Sequence, residues 1–507
     1  MVIKRGPEGG DQVGDVDRGE IREFMVKRGG FEQRIHAPSV TGGLTVVAMA
    51  QPRFPLFTTP YGPVSGSSRD GVAVFRAVPV AHTHHFGEPE PPQPWKEMLS
   101  CADTHERREL RLPTTVSVYA PEDASPDDHL PVIAWIHGGR YEEGHGDDGW
   151  YDGTTLAASG CVVVTLNYRM CLEGFLPLDE DEPGSFRGVD DLVHQLQWIQ
   201  DAVSQVGGDV ANVTLVGQSA GGGLVMKLLT DRRADDLFHR AMVLSPGLPR
   251  ILPRIGWSAR RTVARLSLGS RLTREKVSRL STARCTRAYR RMALIYSSDC
   301  ALGPGPVDLD RLREVPLIVS TMEDEFIRFP GVRKLDRVVA RAGLPSWVMV
   351  PGMRLLGVPR RMLAGWCRYV DDDRPMGRTV GDTMIRRWAS TLLETMPGDR
   401  VWSCEFRGGT WRGSRVDAQH CGELPMLFGT LDVGRRLVES TCGPDAQERL
   451  AGPGAHFRAS VLSFARGVEP GWEPFGDQRT SRVFSLLGDA GGEDRDVYRS
   501  IRTMLPA

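Results

Sequence analysis

Uninterrupted apolar runs alternate with stretches of helical periodicity through the middle of the chain. Leu130 to Ile136 (LPVIAWI) and Cys161 to Leu166 (CVVVTL) read as strands covered on both faces, and Val213 to Val216 and Val315 to Ser320 read the same way. Val189 to Val203 carries its apolar residues at helical spacing. Segment 62–81 instead alternates turn residues with short apolar stretches, predicting antiparallel hairpins, and Thr115 to Tyr119 alternates like a further strand. Strand–helix alternation entered through hairpins predicts an α/β class: a central, mostly parallel sheet with an antiparallel N-terminal edge and helices on both faces.

Residues 1–51 are glycine- and charge-rich with little periodicity, so they are expected to form a disordered N-terminal extension, with residues 52–507 as a single domain. Lys27 and Arg28 followed by GLTVVAMA (Gly43 to Ala50) imitate a short secretory signal only weakly. A formal net charge of −1 gives no argument for a nucleic-acid partner. The nine cysteines are odd in number, scattered and without a CxxC pair, which argues against a disulfide framework and against structural zinc. Charge is nevertheless uneven. Residues 250–291 hold 13 Lys/Arg against one acid, Glu275, leaving −13 for the rest of the chain. A solvated basic face of surface helices is the plain expectation, and attraction to anionic substrates or a membrane surface is the alternative. The acidic run Asp179 to Glu182 is expected to be a solvated loop.

The segment VTLVGQSAGG, Val213 to Gly222, runs from a buried strand through a glycine-flanked serine into a helix of small and apolar residues. A serine at so sharp a strand-to-helix corner needs neighbours nearly free of side chains, which Gly217 and Gly221 supply around Ser219. The helix then aims its unsatisfied N–H groups and positive dipole end at the serine oxygen. Upstream, IHGGRY (Ile136 to Tyr141) leaves a buried strand through a glycine turn whose N–H groups can approach a ligand oxygen. Donors of this kind, aimed at a tetrahedral oxyanion, contribute about 3–4 kcal/mol each.

From Leu130 to Gly247 the chain resembles the type-B, cholinesterase-like carboxylesterases of the α/β-hydrolase fold. It carries LPVIAWIHGG, YDGTTLAASGCVVVTLNYR, GVDDLVHQLQWIQDAV, GGDVANVTLVGQSAGG and LFHRAMVLSPG in that family's order. FRAVPVA and PPQPW before, and VPLIVSTMEDEF, QHCGELPMLFG and FARGVEPGWEPF after, extend the likeness to roughly residues 60–485. The resemblance implies a serine hydrolase of small-molecule carboxylic esters that works through an acyl-enzyme and uses no metal or organic cofactor. It implies Ser219 as nucleophile, Glu325 as the acid and His420 as the base. The oxyanion and substrate turn falls on Gly138, Gly139, Arg140 and Ala220. Glu323 and Asp324 compete for the acid's role, and His420 with Glu423 can also be read as a surface pair.

Three positions depart from the family pattern. Arg140 stands where a third small residue is usual, which narrows the site or favours acidic substrates, and Gln218 stands where glutamate is frequent. Pro113 replaces a cysteine, leaving Cys101 without that family's partner; this fits a reducing compartment, so a cytoplasmic location is expected and export is the alternative. The histidines of HTHHF (His82 to Phe86) are not expected to bind metal, and Trp150, Tyr151 and Phe175 remain open as packing residues or pocket walls. A catalytically silent cholinesterase-like binding protein is the rival reading, and the presence of all three triad residue types argues against it.

Overall fold

The computed structural model describes residues 55–108, 110, 112–249, 255–296, 302–343, 362, 365 and 374–504, with the pairs 27–28 and 31–32. The chain divides into two units, Met1–Arg53 and Phe54–Ala507. In the first, Lys27–Arg28 pairs antiparallel with Phe31–Glu32. The rest of the expected disordered extension lies outside the described residues.

The second unit is organised by an eleven-stranded sheet. Its strands are β1 (Ser67–Arg69), β2 (Val72–Pro79), β3 (Thr115–Pro121), β4 (Leu130–Ile136), β5 (Val162–Leu166), β6 (Gly208–Gln218), β7 (Arg240–Leu244), β8 (Leu317–Met322), β9 (Val401–Arg407), β10 (Thr480–Ser485) and β11 (Gly492–Arg495). Their spatial order is β11-β10-β9-β8-β7-β6-β4-β5-β3-β2-β1. From β5 across to β10 every pairing is parallel. Antiparallel strands finish both edges: β1, β2 and β3 at one and β11 at the other.

The apolar runs are continuous because alternate residues enter two different cores. Val132, Ala134 and Ile136 of β4 join Val162, Val164, Val213 and Leu215 on one face. Ile133 and Trp135 join Val163, Val216 and Met242 on the other. Helix α1 (Arg187–Ala202) covers the first face with Val189, Leu192, Leu196 and Ile199, beside α2 (Ala220–Leu228). The second face lies under the long helix Ala446–Ala465, through Leu450, Phe457 and Val461. Several boundaries shift by one to a few residues from the sequence reading, and two of the shifts concern central strands. The strand expected over Val315 to Ser320 is displaced to Leu317–Met322, and the run at Val213 continues back to Gly208 because β4 pairs with it at Leu130.

The acidic run is the largely exposed loop expected of it, yet it is also charge-paired: half-buried Asp181 meets the Arg187 guanidinium at 2.7 Å, and Asp179 takes the guanidinium of Arg265 at 2.9 Å. It is the counter-charge of the basic segment, which the sequence reading treated separately. The expected surface helices do form there, as Ile255–Leu268, Arg274–Ser278 and Thr282–Ile295.

One buried ion pair locks the loop after β5 onto α1. Asp191 receives Arg169 Nη2 at 2.6 Å, Nε at 2.9 Å and its backbone N–H at 2.9 Å. The adjacent Tyr168 hydroxyl donates to the carbonyl of His137, at the end of β4. Removing one partner leaves the other charge buried and unmatched, so Asp191→Ala is expected to lower unfolding stability by about 3–5 kcal/mol. Denaturant midpoints at fixed m-value check this, and a change below about 1 kcal/mol contradicts it.

Candidate active site

Four parallel strands, β4, β6, β8 and β9, end on the same side of the sheet, and the loops leaving them converge there. Between β6 and α2 the chain turns on Ser219 with φ 57° and ψ −119°, a strained conformation for a residue with a side chain. Backbone bonds on every side hold it: its N–H donates to Leu244 O (2.9 Å), and its carbonyl accepts from Gly223 N (3.0 Å) and Gly247 N (2.8 Å). The flanking glycines answer to steric need. A Cβ on Gly221 would stand 2.1 Å from the Ile136 carbonyl oxygen, and one on Gly217 would stand 2.4 Å from Gly221 O. No side chain fits at either position.

The turn after β4 passes directly over the serine. A Cβ on Gly138 would lie 3.1 Å from Ser219 Cβ. Gly139 takes φ +110°, and a Cβ there would collide with the Glu143 carbonyl oxygen at 1.8 Å. Arg140 and Tyr141 both follow with positive φ. Tyr141 is anchored by its hydroxyl to the Gly247 carbonyl, so the turn and the serine corner share one support. The first N–H groups of α2, beginning at Ala220, have no acceptor within the helix and start beside Ser219.

Glu325 and His420 meet at the ends of β8 and β9. Glu325 Oε2 accepts from His420 Nδ1 at 2.5 Å, while Oε1 accepts from Ser245 Oγ (2.8 Å) and the Met322 N–H (2.9 Å). The His420 N–H also donates to the Glu325 carbonyl at 2.9 Å. Of the competing acids, Asp324 is turned to Arg374 Nη2 and to the Ala418 N–H, each at 3.2 Å. Glu323 and Asp324 line a separate cavity with Arg374 and Arg378.

A cleft of about 570 Å³ brings all the predicted residues but Ala220 together in its lining. Gly138, Gly139, Arg140, Ser219, Glu325 and His420 all line it. Tyr151 is also in its wall, whereas Phe175 is buried against Tyr141 and Tyr168, which resolves two residues left open by the sequence. Arg140 lines the cleft with its guanidinium 3.7 Å from Glu142 and 6.0 Å from the centre of the Phe329 ring. Among the described residues no hydrogen bond joins Ser219 Oγ to His420. The imidazole Nε2 has instead the Gln218 carboxamide nitrogen at 3.4 Å, and the same nitrogen lies 3.4 Å from Cys421 Sγ. The Glu325 carboxylate can only accept, so in the neutral ring the proton sits on Nδ1 and leaves a lone pair on Nε2. That tautomer is the one able to accept a proton at Nε2.

Burial pulls the His420 imidazole down, but the charge and hydrogen bond of Glu325 outweigh it and hold the group above its ordinary value of 6.5. Glu423 is fully buried, not half of a surface pair with His420 as the sequence allowed. Burial, reinforced by the Glu325 charge, pushes its carboxyl up to about 7. Ser245 and Gln218 escaped assignment as site residues. Ser245 falls within the LFHRAMVLSPG motif, which assigns it no role, and Gln218 is marked only as a departure from the family's frequent glutamate.

Residues 53–295 match the carboxylesterase family. A para-nitrobenzyl esterase of Bacillus subtilis (strain 168) is 36% identical over 213 residues, 38% of this chain and 43% of that one. A fumonisin B1 esterase of Sphingopyxis macrogoltabida is 29% identical over 373 residues, 68% of this chain and 64% of that one. The chain therefore spans from under half to just under two thirds of the length of these relatives. In three dimensions, a thermophilic PNB esterase superposes with a TM-score of 0.72 at 23% identity, covering 89% of this chain and all of the other, which establishes a shared fold.

The geometry around His420 makes one direct prediction. Its imidazole titrates above 6.5, and Glu325→Gln, which removes the stabilising charge, lowers the midpoint. NMR titration of the ring protons reads both values, and a midpoint unmoved by the substitution contradicts the assigned pairing.

Proposed function

We propose, from the match of residues 53–295 to the carboxylesterase family, that the chain hydrolyses small-molecule carboxylic esters through a Ser219–His420–Glu325 relay. The observation that carries the reading is the convergence on one cleft of a strained serine and an imidazole backed by a carboxylate at 2.5 Å.

In this reading Ser219 Oγ attacks the ester carbonyl carbon as its proton passes to His420 Nε2. The entering ester displaces the weak contact from Gln218, and the serine–imidazole bond forms as water leaves the cleft. Glu325 stabilises the resulting imidazolium and keeps the ring oriented. The negative oxygen of the tetrahedral intermediate sits among the N–H groups of Gly139, Arg140 and Ala220. The C–O bond breaks, and the alcohol departs with the proton from His420. Water then repeats the attack on the acyl-serine, passing its proton to His420, and the carboxylic acid leaves as Ser219 Oγ recovers that proton. Every bond made or broken lies within the ester, one water and these side chains.

Arg140 gives the site a charge preference. Arg140 lines the cleft and the contact of its guanidinium with Glu142 is a long one, 3.7 Å, so an acyl group ending in a carboxylate can compete for a cation that a neutral chain does not use.

Two experiments test the proposal. A fluorophosphonate probe is expected to add covalently to Ser219; Ser219→Ala abolishes the labelling and lowers ester hydrolysis by about 10⁶-fold. A folded protein that resists labelling favours the catalytically silent binding protein instead. For Arg140, the ratio of kcat/KM between hemisuccinate-type and neutral esters is expected to fall by up to about fivefold in Arg140→Gly, the worth of a partly solvated ion pair. An unchanged ratio rejects the role.

A further inference from the structure

The basic segment splits in two by what its charges meet. On helix α3 (Ile255–Leu268) both Arg261 and Arg265 close on Asp179, and Arg274 reaches Glu88 at 2.7 Å and Asp181 at 3.2 Å. These cations hold the chain's own acidic loop. Helix α4 (Thr282–Ile295) is different. Cys285, Ala288, Tyr289 and Met292 form its buried face. Opposite them, at spacings of three, four and seven residues, Arg287, Arg290, Arg291 and Leu294 lie along one exposed stripe. Among the described residues no carboxylate pairs with these three arginines, and no acid occurs anywhere from Lys276 to Ile295. Leu294 is 79% exposed and Ile295 is 62% exposed, and α3, which packs against α4, adds Leu266 at 77%.

We propose that the outer face of α4 docks on the surface of an anionic phospholipid bilayer. Three uncompensated guanidinium groups select a negatively charged surface. The exposed leucine and isoleucine at the end of the same stripe distinguish lipid from nucleic acid. A polyphosphate backbone gives apolar side chains nothing to bury in, whereas the boundary between headgroups and acyl chains does. Arginine suits that boundary, since its stem lies along apolar groups while its head stays with phosphate. The contact is peripheral: no described helix is long and apolar enough to cross a membrane. It stands apart from the esterase reading, and its consequence is to hold the protein where apolar molecules partition from water.

Co-sedimentation of the full chain with phosphatidylcholine vesicles, with and without phosphatidylserine, tests the proposal. Binding is expected only with phosphatidylserine and is lost as salt is raised. Arg287→Gln and Arg290→Gln each weaken it about fivefold, and Leu294→Ser weakens it further, with the melting temperature of each variant reporting that the fold is kept. Arg261→Gln, whose guanidinium already faces Asp179, serves as the charge-matched control and leaves vesicle binding nearly unchanged. The proposal is overturned by absence of sedimentation, by equal binding to neutral vesicles, by an equal loss in the Arg261 control, or by binding to a DNA duplex in place of vesicles.

Discussion

Three backbones cross within contact distance at the ends of β4 and β6, and that crossing governs the rest of the structure. Gly221 lies against the Ile136 carbonyl and Gly217 against Gly221, so neither position admits even one methyl group. The closeness forces Ser219 into its unusual dihedral angles and brings the Gly138 turn over it. The strain is carried by elements beyond the corner. The end of β7 accepts from the Ser219 N–H, and Gly247 donates to the Ser219 carbonyl while accepting from the Tyr141 hydroxyl. Serine corner and glycine turn are therefore tied to one support, Gly247.

Two carboxylates close to His420 live in opposite surroundings. Glu325 accepts three hydrogen bonds, from His420, Ser245 and Met322. Glu423, three residues along from His420, is buried so that its carboxyl is pushed up to about 7. The first bonds the imidazole directly at Nδ1, whereas burial favours the neutral form of the second.

Charge elsewhere is arranged by the same economy of pairing. The basic segment and the acidic run, 68 residues apart in the chain at their nearest, neutralise one another where Arg265 meets Asp179 and Arg274 meets Asp181. What remains on the outer face of α4 is the residue of that pairing, visible only after the paired charges are removed from consideration.

What could be read without coordinates was whatever the chain specifies over a few neighbouring residues. Apolar runs gave the buried strands because both faces of a parallel sheet must be covered, and the glycines around Ser219 marked the tight corner because backbone contact excludes side chains locally. Resemblance of motifs, not periodicity, pointed to Glu325 and His420. Only the folded chain decided that Glu325 and not Asp324 faces the imidazole, since adjacent residues on one turn point in different directions and Arg374 claims the other carboxylate. Ser245 behind Glu325, Gln218 against Nε2 and the burial of Glu423 were likewise decided in three dimensions. Their roles depend on distances between strands that the order of residues along one strand does not encode.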